Sequence, residues 1–276
     1  MSRSRRTVLA IILLFSLAGI TAFAIEPVPT IPTPEQLAVR ESLKARADRQ
    51  LATFLANHDQ PLATTAAEVV AGHLEASGGA EAWAAVQTLE VYLRPMPIRG
   101  DEFILVRQYS RPLNFRQGMA GGHSATVTDG RVVWRVSGGQ KVAADIPELT
   151  TMASIDNFFL DPAAAGVDME FVGVEILNHE PVYHLRRAFP VGIVEELYFS
   201  VNSGLLVERF DEYRSGSSWF SFWEYREVEG LKFPHLMLRS VGENGPPHGV
   251  AITEIRINPE LDEDLFLPIT MEGGEP

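Results

Sequence analysis

From Val167 to Pro259 apolar and polar positions alternate in short runs, the pattern of half-buried strands. VDMEFVGVEILN, EPVYHLRRAF, VEELYFSV, LLVERFDEY, SSWFSFWEYREV, LKFPHLMLRSV and GVAITEIRIN follow one another with no helix-length segment between them. The joints carry turn chemistry: Asn178-His179, Asn202-Ser203-Gly204, Arg214-Ser215-Gly216, Glu229-Gly230 and Asn244-Gly245-Pro246. Such residues accept the positive φ that tight hairpins need. Joints this short exclude parallel pairing, which needs a crossover of about a dozen residues or more. The pattern predicts an antiparallel meander, and the rest of the chain must cover its apolar face.

Upstream the period changes. Leu43, Ala47, Leu51, Phe54 and Leu55 recur at helical spacing and predict an amphipathic helix over 35–60, with Thr33 as its N-cap. A second helix is predicted from Thr64 to Ala76, ended by Gly78-Gly79, with Val69, Val70, His73 and Leu74 on its inner side. A short helical turn from Ala80 to Val86 carries Trp83. Five strand runs follow: QTLEVYLR, EFILVRQYS, NFRQGMA, SATVTDG and RVVWRVS. Asp129-Gly130 joins the last two, and Gly138-Gly139 allows another turn. Pro147 to Ala165 then interrupts the strands and reads as helix broken at Pro162. An antiparallel sheet of about 11–12 strands must curl. The expected fold is mainly β with α: an incomplete antiparallel β-barrel with helices plugging or lidding its concave side.

The N-terminus shows a third pattern. Arg3, Arg5 and Arg6 precede an almost wholly apolar run from Val8 to Ile20, and Ala22-Phe23-Ala24 offers a small-x-small cleavage site. These features predict a secretory signal peptide over 1–24, a mature chain starting at Ile25, and a periplasmic or secreted location. The apolar run is short for a membrane span, which takes ~20 residues. Ser4-Arg5-Arg6-Thr7 leaves the general and twin-arginine routes both open. Pro27, Pro29, Pro32 and Pro34 make 25–34 an extended linker. The sheet domain is expected over 61–270, with 271–276 a tail.

Composition narrows the chemistry. Of 276 residues 46% are apolar and none is cysteine, so core burial must stabilise an exported chain without disulfides. Thiolate metal sites, cysteine nucleophiles and a lipid-bearing cysteine are excluded. Residues 1–24 hold three arginines and no acid, so their removal moves the net charge from −13 to −16. No basic stripe offsets this balance, and nucleic acid is not an expected partner.

No catalytic constellation emerges. His179 and His184 stand five apart at a hairpin, whereas a zincin pair needs histidines ~4 apart on a helix. Ser217 and Ser218 lack the Gly-x-Ser-x-Gly setting of a nucleophile elbow. Asp156, Asp161, Asp168 and Glu170 read as a solvated loop face. No catalytic residue, metal ligand or cofactor is expected. The candidate ligand contacts are apolar: Phe103, Leu105 and Trp134 in the first half, and Phe199, Phe220, Phe222, Leu236 and Leu238 in the second. Phe158, Phe159 and Leu160 join them from the inserted segment. Adjacent helical residues point ~100° apart, so one helix face cannot bury all three. These residues either fill a core or line an apolar cavity under a movable lid.

Several phrases, in order over 64–269, resemble one family. Ala76-Ser77-Gly78-Gly79-Ala80-Glu81-Ala82-Trp83 with Val86-Gln87-Thr88-Leu89 resembles the entry into the first strand of the outer-membrane lipoprotein-sorting proteins, the LolA-like periplasmic carriers. Arg111-Pro112-Leu113-Asn114-Phe115-Arg116, Thr128-Asp129-Gly130 with Val133-Trp134, and Phe171-Val172-Gly173-Val174-Glu175 resemble later strands and the central hairpin. Tyr225 to Pro234 and Ile257-Asn258-Pro259-Glu260-Leu261-Asp262 resemble the closing strands. The resemblance implies a half-barrel with a helical lid and an apolar cavity. It also implies a noncatalytic carrier of a lipoprotein acyl chain or other lipid. Alternatives are an envelope sensor or scaffold that binds envelope membrane proteins, and an enzyme working in the cavity. The helix over 35–60 lies outside the resemblance.

Overall fold

The computed structural model describes residues 34–96, 103–214, 216–242 and 245–267. The predicted signal peptide over 1–24, Thr33 and the expected 271–276 tail lie outside the described residues. The chain divides into two units, Met1–Ala45 and Arg46–Pro276. Helix α1 (Pro34–Asn57) runs through the division. Its predicted stripe is only partly buried: Leu43 and Leu55 are exposed, while Ala47, Leu51 and Phe54 are half-buried.

In the second unit, α2 (Ala66–Ala76) opens with a capping box. Glu68 N donates to Thr65 Oγ1 at 3.2 Å, and Thr65 N donates to Glu68 Oε2 at 3.1 Å. Two backbone donors that the first turn leaves unpaired are thus satisfied. Val69, Val70, His73 and Leu74 are buried, as their spacing predicts. Gly78 (φ 126°) ends this segment against the sheet, where a Cβ would overlap the Gly230 carbonyl oxygen. Lys232 N donates to Ser77 O at 2.8 Å, which fixes the helix end on the sheet. The turn helix α3 (Ala80–Ala85) buries Trp83.

Thirteen antiparallel strands form one open sheet. β1 (Thr88–Pro95), β2 (Leu105–Ser110), β3 (Asn114–Met119), β4 (Ser124–Thr128) and β5 (Val133–Ser137) match the five predicted runs. β6 (Gln140–Ala143) follows the Gly138-Gly139 turn and brings the total above the expected twelve or so. The predicted meander is β7 (Asp168–Leu177), β8 (Glu180–Ala188), β9 (Val194–Ser200), β10 (Leu206–Tyr213), β11 (Gly216–Val228), β12 (Leu231–Val241) and β13 (His248–Ile257). Asn178 and His179 take φ of 50° and 70° in the β7–β8 turn, a conformation that matches the strand twist.

The order is β6-β5-β4-β3-β2-β1-β13-β12-β11-β10-β9-β8-β7. β1 and β13 pair, with Leu89 opposite Ile257, and so weld the two halves. The edges are β6 and β7, which are consecutive in the chain. The inserted segment between them therefore runs from one free edge to the other. It is not the expected helix: it forms 3₁₀ turns at Pro147–Met152 and Ala163–Ala165 with irregular chain between. Asn157 and Phe158 take left-handed φ of 54° and 63°, which stops a helix there.

One sheet face is covered. Leu89, Val91 and Leu93 of β1, Leu185 of β8, and Leu197 and Phe199 of β9 pack there with Val69, Val70 and Leu74 of α2, with Trp83 and with the insert's Ile155 and Phe159. Full burial of one such side chain contributes about 2 kcal/mol. On the opposite face Val127 and Trp134 pack against Phe266 of the C-terminal turn Glu263–Phe266.

Candidate functional site

The end of the covered face beside α2 opens into a cleft of about 390 Å³. Leu62, Ala63, Val69, Gly72, Tyr183 and Phe199 are among its walls, and Glu68 is its one acid. That size and lining fall within the usual range for small-molecule sites. Phe199 is the link inward: its ring lies 5.6 Å from Phe159 of the insert. His73 completes the group, 5.0 Å from Phe159 and 5.1 Å from Phe199. Its Nδ1–H donates to the Gly204 carbonyl at 3.0 Å. Burial pushes His73 down to about 4, the Gly204 bond only partly opposing, so the ring is neutral.

Two guanidiniums hold the insert. Arg111 Nη2 lies 3.0 Å from the buried Asp156 carboxylate. The same side chain donates to the carbonyls of Val86 (2.7 Å) and Trp83 (3.0 Å), tying the insert to α3. Arg187, fully buried and paired with buried Glu195, donates to the Asn157 carbonyl and to Asn157 Oδ1. Phe158 and Phe159 then diverge. Phe159 enters the main core, while Phe158 enters a satellite with Val167, Phe189 and Ile193. The left-handed backbone at Phe158 separates the two rings, a division that a helix was not expected to achieve.

No family model matches the chain, and no curated protein matches it. Among solved structures, a LolA superfamily protein from Nitrosomonas europaea aligns with a TM-score of 0.54 at 11% identity, over 75% of this chain and 99% of its own. The fold is LolA-like. An outer-membrane lipoprotein-sorting protein domain from Vibrio parahaemolyticus aligns at a TM-score of 0.48 and 9% identity, over 72% of this chain and 94% of its own.

In this LolA-like sheet, the residues singled out from sequence separate. Leu105, Phe159, Leu160, Phe199 and Phe222 belong to the covered face, and Phe220 shares it. Phe158 is in the satellite. Phe103 is half-buried ahead of β2, outside any strand. Trp134 is on the opposite face under Phe266. Leu236 and Leu238 are also on the opposite face, because they pair with Trp223 and Ser221 while Phe222 pairs with Met237. The first and second strand halves thus contribute fewer residues to one surface than expected.

Asp156 is a further correction. It is buried in an ion pair, whereas Asp161, Asp168 and Glu170 are solvent-exposed as expected. Sequence reading missed the charged residues of the covered face: Arg107, Arg187, Glu195, Arg209, Asp211 and Arg239. For Arg107, Arg187 and Glu195 a partial signal existed, since each stands two positions from an apolar residue of the same strand. Glu195 precedes Leu197 by two positions, and Arg187 follows Leu185 by two.

Proposed function

We propose that this protein is an exported, noncatalytic carrier or binder of a lipid-like ligand, such as the acyl chain of a lipoprotein, in the periplasm. The observation that carries this reading is the apolar cleft whose Phe199 wall abuts Phe159 of the edge-to-edge insert. Displacing Phe159 would extend the cleft along the covered face. The insert suits such a movement, because it has irregular backbone and is held by individual ties that can be broken one at a time. The LolA-like fold is compatible with this use.

The test is native mass spectrometry of protein recovered from the periplasm, followed by titration with a fluorescent fatty-acyl probe. Copurified lipid and saturable probe uptake are expected. A lipid-free protein that takes up no probe would remove the carrier reading. Capture of an envelope protein by that same lipid-free form would favour the scaffold alternative.

A further inference from the structure

Among the described residues the covered face carries Arg107, Arg187, Arg209 and Arg239, with Arg135 of β5 at the far end of the row that starts at Arg107. Pairing places Arg107 opposite Val91, Arg187 opposite Glu195, Arg209 opposite Leu197 and Arg239 opposite Phe220. Two have carboxylate partners: Arg187 pairs with Glu195, and Arg209 Nε lies 2.8 Å from Asp211. Arg107 and Arg239 make no ion pair among the described residues. Arg107 Nε donates to Gln117 Oε1 at 2.8 Å. Arg239 Nη2 donates to Ser218 Oγ at 3.2 Å, while its Nε is buried without a hydrogen-bond partner.

The cations converge. Arg209 and Arg239 lie 4.5 and 5.5 Å from the centre of the Phe220 ring. Arg107 comes from β2, far from β10 and β12 in the strand order, yet both of their guanidiniums act on it. Burial, and then those two like charges, hold Arg107 below its usual range, with Tyr109 opposing. Curling of the sheet therefore gathers three cations around Phe220 and Tyr109. All three are half-buried and within partial reach of solvent. Partly desolvated cations in excess of their counter-ions are destabilising unless an anion completes them.

We propose that Arg107, Arg209 and Arg239 form a receptor for an oxyanion, phosphate or carboxylate, carried as the head group of an amphiphile whose chain lies along the covered face. The amphiphile part rests on the carrier function proposed above. Guanidinium forks match both anions in geometry and are less strongly hydrated than ammonium groups.

Isothermal titration of the mature chain at neutral pH with dodecyl phosphate, dodecanoate, dodecanol and inorganic phosphate tests this. Both charged amphiphiles are expected to bind at least about tenfold tighter than dodecanol, the scale of one charge-assisted hydrogen bond. Arg239→Gln and Arg107→Gln should each erase most of that preference. Arg239→Lys should restore part of it. Equal binding of charged and uncharged amphiphiles by the unsubstituted protein would overturn the receptor and leave the carrier function standing. That comparison needs no variant to fold. A charge preference untouched by either substitution would overturn the assignment to these arginines. If no amphiphile binds but inorganic phosphate does, and Arg239→Gln abolishes it, the oxyanion site stands and the carrier function falls. Binding of none of the four overturns both.

Discussion

Arg111 Nη2 and Asp156 Oδ2 lie 3.0 Å apart, with the aspartate buried and the arginine also gripping the carbonyls that end α3. One side chain thus joins the helical cover, the β2–β3 turn and the insert that runs between the sheet edges.

Removing that tie strands a buried carboxylate. Arg111→Met is expected to cost about 3 kcal/mol, the scale for breaking a buried ion pair by losing one partner. Urea titration checks the cost. Hydrogen exchange checks its location, with residues 154–160 exchanging faster and β9 unchanged. Asp156→Asn should cost less, because a neutral amide needs no counter-charge.

Phe158 and Phe159 test whether the insert moves. Truncating an ordinary core phenylalanine to alanine costs ~3–5 kcal/mol. If the insert opens to admit a chain, Phe158→Ala and Phe159→Ala should cost less than that and weaken uptake of a fluorescent fatty-acyl probe. Core-sized destabilisation in both, with probe binding intact in the folded fraction, would make the segment a permanent plug.

His73 sets one pH dependence. Its folded value of about 4 lies below the 6.5 of the free side chain. Between these values the unfolded chain binds a proton that the folded chain does not. Stability supplied by neutral His73 is therefore full above pH 6.5, falls as pH drops toward 4, and changes no further below that. The total is about 3 kcal/mol at ~1.4 kcal/mol per unit. Asp211, pushed up to about 6 by burial, works in the opposite direction over an overlapping range. The comparison must therefore be with His73→Leu, whose stability difference from the unsubstituted protein should shrink as pH falls from 6.5 to 4. A difference constant with pH would refute the assignment.

His184 has the reverse sign. On the opposite face its Nδ1 lies 2.8 Å from Glu175 and its Nε2 2.8 Å from Glu196, with the ring stacked on Tyr198. Burial opposes the charge, but the two carboxylates outweigh it and raise His184 above 6.5. Its stabilising contribution is full below pH 6.5 and is lost as pH rises through the folded value. NMR titration should find the His184 ring still protonated at a pH where free histidine is neutral. In His184→Gln the loss of stability as pH rises above 6.5 should disappear.

Local chemistry made much of this fold legible. The turn pairs at Asn178-His179 and Glu229-Gly230 and the inner side of α2 are properties of adjacent residues. So are twelve of the thirteen strands. Short-range sterics, hydrogen-bond satisfaction and alternation of polarity decide such features before any tertiary contact forms. Tertiary structure alone decided the rest. Pairing of Leu89 with Ile257 joins residues at opposite ends of the domain, and no local pattern specifies such a contact. That pairing and the strand register assign each side chain to a face, which is why Leu236 and Leu238 part from Phe220 and Phe222. Alternation hinted at the positions of Arg187 and Glu195, but what surrounds the covered-face arginines was decided the same way. A charged residue in a strand usually faces water, and only the curled sheet determines whether its neighbours are solvent, a carboxylate or another guanidinium.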